Sequence, residues 1–254
     1  VSAVSVLYSW DKAAARWEAA EPTAAAVALA DSWLLEEGRT TRLDLHRERF
    51  LAGAAELGDA AEPEAAWDAF APLMPQAGRW FPRVDLLSDG ELMLALRPAP
   101  PREPNVVAWL MPDPDPRLQA RRKGPELELL GELRAQAREH GAGEAVLIDD
   151  QGQILEGAYS SLLWWEGDVL YAVPDDAPAL PGITRHLLLE IAAEDGVEIG
   201  YLMPRPSDLA GREVWLVGSL HGIRAVSEWA GDGLPAGAPI RAHAWQQRLD
   251  QLQG

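Results

Sequence analysis

Of the 22 basic residues in the chain only two are lysine, Lys12 and Lys123. Lys123 sits in "QARRKGPELELL", where arginine already supplies positive charge. An amine can lose its proton, attack a carbonyl and form a Schiff base, whereas a guanidinium stays charged. Taken singly, Lys123 would read as a solvated surface lysine. Its weight comes from other pieces that follow in a fixed order. They are H-x-x-R at His46–Arg49, Lys123 ahead of a helix, "EGAYSS" at 156–161, "LPGITR" at 180–185, and "GS" at 218–219.

Stepping from these residues to the elements that must carry them, the alanine-rich segments 12–31 and 52–72 read as helices, interrupted by Pro22 and bounded by Gly58 and Pro63. The apolar spacing of "RLDLHRERFLAGAAEL" predicts a helix entered near Asp44 or Leu45, which would carry His46 and Arg49. "RVDLLSDGELMLALRP" is a hairpin candidate around Asp89-Gly90. Two proline-dense stretches flank the strand-like "VVAWLM" and place a domain boundary within 98–116. Pro125 opens a helix that Gly141 ends, with Leu127, Leu130, Leu133 and Ala137 on its buried face. Hairpins turn at Asp150–Gly152 and Glu166–Asp168. A helix follows "PG" at 181–182 and ends at Gly196, and "REVWLVGSLHGIRAV" gives a strand, a Gly-Ser turn and a short strand. Hairpins with interspersed helices disfavour a Rossmann sheet.

Composition narrows the chemistry further. The 254 residues suffice for one large or two moderate domains, and 48% hydrophobic with 24% charged residues is ordinary for a soluble globular chain. A net charge of −18 argues against nucleic acid as a partner. No long apolar run predicts a membrane span, and the opening residues lack a signal-peptide pattern. With no cysteine and five scattered histidines, no metal site is expected and a cytoplasmic location is.

The ordered pieces resemble the class IV pyridoxal-phosphate enzymes (fold type IV), most strongly over 119–227. That family contains branched-chain and D-amino-acid aminotransferases and aminodeoxychorismate lyase. The resemblance implies an α+β fold: a small N-terminal α/β domain over 1–111 and a C-terminal domain over 112–254 with a barrel-like β core. It also implies pyridoxal 5'-phosphate in the cleft between the domains, a small-molecule amino substrate and a homodimer. Lys123 would be the catalytic residue, holding the cofactor aldehyde and shuttling a proton. Glu156 would face the pyridine nitrogen. "PGIT" opens a helix, so the Ile183 and Thr184 amides and the Thr184 hydroxyl would receive the cofactor phosphate, with Gly182 permitting close approach. Arg49, Ser219 and Leu220 would join that phosphate site. His46 would pack at its helix start and take no proton.

Four departures bear on substrate choice. Ser161 stands where the family has Asn, Glu126 replaces another Asn, and Glu128 replaces a tyrosine. Ser32 in "VALADSW" takes the threonine position of a glycine-rich segment that is otherwise reduced, and is a substrate candidate. Ser161 itself is expected at the cofactor. Arg83 and Arg97 are candidates for the substrate carboxylate. The short chain favours a lyase that releases pyruvate and 4-aminobenzoate for folate synthesis. A class IV aminotransferase is the alternative, and cofactor binding without turnover the third.

Overall fold

The computed structural model describes residues 5–58, 61–231 and 233–253. Positions 59 and 60, inside the stretch 52–72 expected to be helical, lie outside the described residues. The chain divides into two compact units. The first takes the chain up to Pro101, then Arg122–Leu127 and the stretch from Leu252; the second takes Arg102–Arg121 and Glu128–Gln251. Residue 111 thus falls inside the second unit, and the six residues around Lys123 return to the first.

The first unit begins with β1 (Val6–Asp11), β2 (Arg16–Ala19) and β3 (Val27–Ser32). The short β4 (Leu35–Glu36) and β5 (Arg39–Thr40) lead to α1 (Leu43–Glu56) and α2 (Ala61–Asp68). β6 (Arg79–Trp80), β7 (Arg83–Leu87) and β8 (Leu92–Leu96) complete it. Five strands form an antiparallel sheet in the order β2-β1-β8-β7-β3, and β5-β4-β6 form a small second one. Strand alternation divides the larger sheet into two faces. Leu29, Val84, Leu86, Leu92 and Leu94 pack with Phe50 and Ala54 of α1 and Trp67 of α2. A Cβ at Gly53 would lie 2.6 Å from a Leu29 methyl, so glycine lets α1 come close to β3. Ala30, Ser32, Arg83 and Asp85 fall on the opposite face, because Ala30 pairs with Asp85 and Ser32 with Arg83.

The helix expected over 12–31 is corrected: this stretch holds β2 and β3. Alanine favours helix by propensity, but pairing and burial override it here. Trp17 is buried edge-on against Trp10, and its Nε1 donates to the Ala66 carbonyl at 2.9 Å. The hairpin at Asp89-Gly90 forms as expected, with Gly90 at φ +88°.

The second unit holds β9 (Asn105–Leu110), α3 (Leu127–Glu139), β10 (Glu144–Ile148), β11 (Ile154–Gly157), β12 (Ser161–Glu166) and β13 (Val169–Ala172). Then come α4 (Ile183–Glu194), β14 (Ile199–Tyr201), β15 (Val214–Gly218), β16 (Gly222–Trp229) and α5 (Ala242–Asp250). Its eight strands run in the order β11-β10-β9-β16-β15-β12-β13-β14. Hairpins and the long-range β12–β15 contact give the antiparallel pairs, while β9 pairs parallel with β10 and β16, and β13 with β14. The β10–β11 and β12–β13 hairpins and α4 lie where the sequence places them. Trp164, Leu216, Val226 and Ile154 fill one core against the sheet. The C-terminal α5 escapes sequence reading. Glu213 anchors it by accepting the Arg241 and Ala242 amides, and Trp245 packs on Trp165 and Trp215.

Candidate active site

In the first unit Lys123 is delivered to β3 by its own backbone. Its carbonyl accepts the Ala30 amide at 2.7 Å. Gly124 follows at φ +138°, and a Cβ there would fall 2.6 Å from the Leu29 Cα, so only glycine allows this crossing. The Lys123 amine then donates to Ser32 Oγ at 2.8 Å. Burial pushes the amine down to about 8, against the charge of Asp31, and Arg49, Arg97 and Arg83 push in the same direction as burial.

Asp31 is fully buried beneath this group and organises it. Arg49 donates from Nε to Asp31 Oδ2 at 2.8 Å and from Nη2 to Oδ1 at 2.9 Å, and His46 Nδ1 lies 2.7 Å from Oδ1. Burial opposes the Asp31 charge, but Arg49, His46 and Lys123 together outweigh it and hold the carboxyl below the usual carboxylate range. Burial pushes His46 down. His46 is buried in the first turns of α1 with its Nδ1 on Asp31, and Arg49 presents its fork to Asp31. Arg83 donates to Asp85 Oδ2 at 2.9 Å, and Arg97 donates from Nε to the Phe81 carbonyl at 3.1 Å while lying over the Phe81 ring.

In the second unit Glu156, near the end of β11, is buried. Its Oε1 accepts Arg117 Nη2 at 2.9 Å and the Leu180 amide at 2.9 Å. Asp115 holds Arg117 through both carboxylate oxygens. Burial pushes Glu156 up to about 7, with Arg117 and the Leu180 amide opposing and Asp115 adding to the rise. Glu156 and Ser161 line one cavity of about 100 Å³ with Leu155, Pro181 and Arg185. A Cβ at Gly182 would lie 2.3 Å from Ser161 Oγ, so Ser161 packs directly under the start of α4. Ile183 and Thr184 open α4, whose Gly182 N-cap supplies no side-chain hydrogen bond to the first-turn amides. Ser219 and Leu220 form the turn after β15, both half-buried. The structure thus joins Lys123, Ser32 and Arg49 in one group and Glu156 with Ser161 in another.

Sequence reading missed Asp31, Asp85, Asp115 and Arg117. Asp31 had a usable signal: an acid in an otherwise apolar strand, beside Ser32 and fifteen residues before His46. Arg117 lies in a proline-dense stretch that reads as linker.

Comparison with known proteins now defines the class. The chain belongs to the class IV aminotransferases, whose family model matches residues 28–229. Its curated relatives include the branched-chain-amino-acid aminotransferase of Escherichia coli K12, 35% identical over 104 residues that make up 41% of this chain and 33% of that protein. They also include a bifunctional aminodeoxychorismate lyase / D-amino acid transaminase of Mycobacterium tuberculosis, 32% identical over 111 residues, 41% of this chain and 38% of that protein. The chain thus matches about a third of the length of such relatives. Among solved structures, the PLP-bound form of a hypothetical aminotransferase from Mycobacterium tuberculosis superposes with a TM-score of 0.82 at 20% identity, covering 97% of this chain and 98% of that one. A branched-chain aminotransferase from Thermoproteus uzoniensis gives 0.82 at 17% identity, covering 97% and 93%. These likenesses establish fold type IV. Among the described residues no helix is long and apolar enough to cross a membrane, and no cluster of three or more acidic or histidine side chains is placed to hold a metal ion.

Proposed function

We propose that the chain is a pyridoxal-phosphate-dependent enzyme that moves the amino group of a small amino acid. The observation that carries the reading is the Lys123 amine, seated on Ser32 and pushed down to about 8. The residues present fit the cofactor: one amine that can deprotonate, one buried carboxylate held by an arginine, and helix amides with no side-chain cap. When bound, pyridoxal phosphate supplies an electron sink for the pair left at a substrate α-carbon.

The chain's own residues do the rest. Lys123 would hold the cofactor aldehyde and afterwards take and return a proton, and burial, by pushing the amine down, eases the loss of its own proton. Ser32 Oγ orients the amine. Glu156, fixed by Arg117 and the Leu180 amide, would face the ring nitrogen. The Ile183 and Thr184 amides, the Thr184 hydroxyl, Ser219 and Leu220 would take the phosphate, and Arg49 would add charge. Ser161 supports Gly182 from below. The resemblance further suggests a homodimer, which sedimentation would test.

Two reactions share this machinery. Transamination is favoured, since the family model and several curated relatives carry aminotransferase names. Elimination of pyruvate from aminodeoxychorismate is the second reading, supported by the lyase named in the bifunctional relative. Borohydride reduction followed by peptide mapping should place the cofactor on Lys123; label on Lys12 overturns the assignment. Parallel assays with amino acids plus keto acids, and with aminodeoxychorismate, then separate the reactions. Trapped cofactor with no product in either assay would indicate binding without turnover.

A further inference from the structure

The C-terminal helix α5 reaches the turn after β15 through a side chain that the chemistry above does not use. Gly218 pairs with Gly222, so residues 219–221 form a short connection between β15 and β16. Further along β16 the Ala225 amide donates to the Pro104 carbonyl, on the side where β9 runs. The Ile223 amide points to that same side two residues earlier, past the point where β9 begins at Asn105. Its acceptor is Gln246 Oε1 of α5, at 2.7 Å. Gly222 makes room for this contact: its φ is +70°, and a Cβ there would fall 2.3 Å from Gln246 Oε1.

The two ends of the Gln246 amide are not equivalent, because only the oxygen can accept the Ile223 proton. Asp250 decides which end faces the turn. Its Oδ1 accepts Gln246 Nε2 at 2.8 Å, and Arg102 Nη1 donates to its two oxygens at 3.0 and 2.8 Å. A carboxylate only accepts, so it takes the NH₂ end and leaves the oxygen for Ile223. The neighbouring Glu103 donates its amide to His221 Nδ1 at 3.2 Å. Arg102 and Glu103 thus hold one end of the turn directly and the other through Asp250 and Gln246.

We propose that Gln246 is a positioning residue for phosphate recognition: through the Ile223 amide it fixes the 219–221 turn, so that Ser219 and Leu220 present their donors to the cofactor phosphate. This role rests on the reading that the turn takes the phosphate. Glu156 is held by Arg117 and the Leu180 amide, with no bond from α5, so the ring end of the cofactor should not feel the change.

The test takes the full chain freed of cofactor, as wild type, Gln246→Leu, Asp250→Ala and Ser219→Ala, and titrates each with pyridoxal phosphate and with pyridoxal. Gln246→Leu should weaken pyridoxal phosphate by about tenfold, the scale of one lost hydrogen bond, while pyridoxal moves less than about twofold. Asp250→Ala lets the Gln246 amide turn over and should show the same pattern at about threefold. Asp250 is half-exposed, so if Gln246→Leu does not fold, this milder variant decides alone. Equal losses for the two probes would be general loosening and overturn the proposal, as would unchanged affinity for both. Ser219→Ala separates the proposal from the reading beneath it. If it leaves pyridoxal phosphate unchanged, the turn does not take the phosphate and both fall. If it weakens pyridoxal phosphate while Gln246→Leu does not, only the proposal falls.

Discussion

Asp31 in the first unit and Glu156 in the second are both buried carboxylates that face an arginine, yet their charges are set oppositely. Burial favours the neutral form of each. At Asp31 it is outweighed by a two-pronged bond from Arg49, the ring of His46 and the nearby Lys123 amine, so the carboxylate stays ionised. At Glu156 the single arginine is shared with Asp115, whose own charge works against ionisation, and the carboxyl rises to about 7. What matters is how many donors an acid has to itself, not whether an arginine is near. One acid is a fixed charge that holds machinery in place, while the other can gain or lose a proton near neutral pH.

The largest expected effect comes from the amine that Asp31 supports. Lys123→Ala should abolish borohydride-trapped cofactor and lower turnover by about 10²- to 10⁴-fold, the usual share of a positioned proton-transfer group. Full trapping in this variant would detach the amine from the comparison altogether.

Asp31→Asn tests the fixed charge. It removes the buried charge that accepts both prongs of Arg49 and should cost on the order of 3–5 kcal/mol, read as a lower urea midpoint at neutral pH. It should also move the Lys123 amine further down, since the Asp31 charge is what supports its protonation.

Glu156→Gln tests the movable one. The folded chain holds the Glu156 proton up to about pH 7, against an ordinary 4.5, so between these values the folded state binds more protons than the unfolded. Stability from this group is therefore present below about pH 4.5 and is lost as pH rises to about 7, by on the order of 3 kcal/mol. Urea melts at pH 5 and pH 7.5 should show this decline in the wild type and a flatter profile in the variant. Equal slopes would mean that Glu156 is ionised throughout and that the two acids do not differ.

The smallest effects should fall on cofactor affinity. Arg49→Ala and Thr184→Ala are each expected to weaken it by roughly 1–3 kcal/mol, as one lost hydrogen bond to an anion would. Cofactor dissociation constants, measured by fluorescence, should show it. Because Arg49 also serves Asp31, only its substitution should lower stability as well.

Legibility in the sequence followed the range of the interactions. α4 and the hairpins at Asp89-Gly90, Asp150–Gly152 and Glu166–Asp168 are set by local periodicity and turn residues, and each forms where the residues place it. β2 and β3 were hidden because alanine advertises helix, and β3 pairs with β7, more than fifty residues further along the chain. The same contrast holds in the site. Lys123, Glu156 and the α4 start carry motifs. Asp31 and Arg117 owe their importance to partners 18 and 39 residues away, through bonds no motif encodes.

The crossing of residues 123–124 over β3 has a consequence for solubility. β3 is the last strand of its sheet, and an open edge presents unpaired amides and carbonyls to any passing strand. Lys123 occupies the Ala30 amide on that edge, and Gly124 lets the chain lie flat against it. The segment that presents the reactive amine is therefore also a guard against edge-to-edge association. A change at Gly124 would loosen both together, giving a protein that is less reactive and more prone to aggregate.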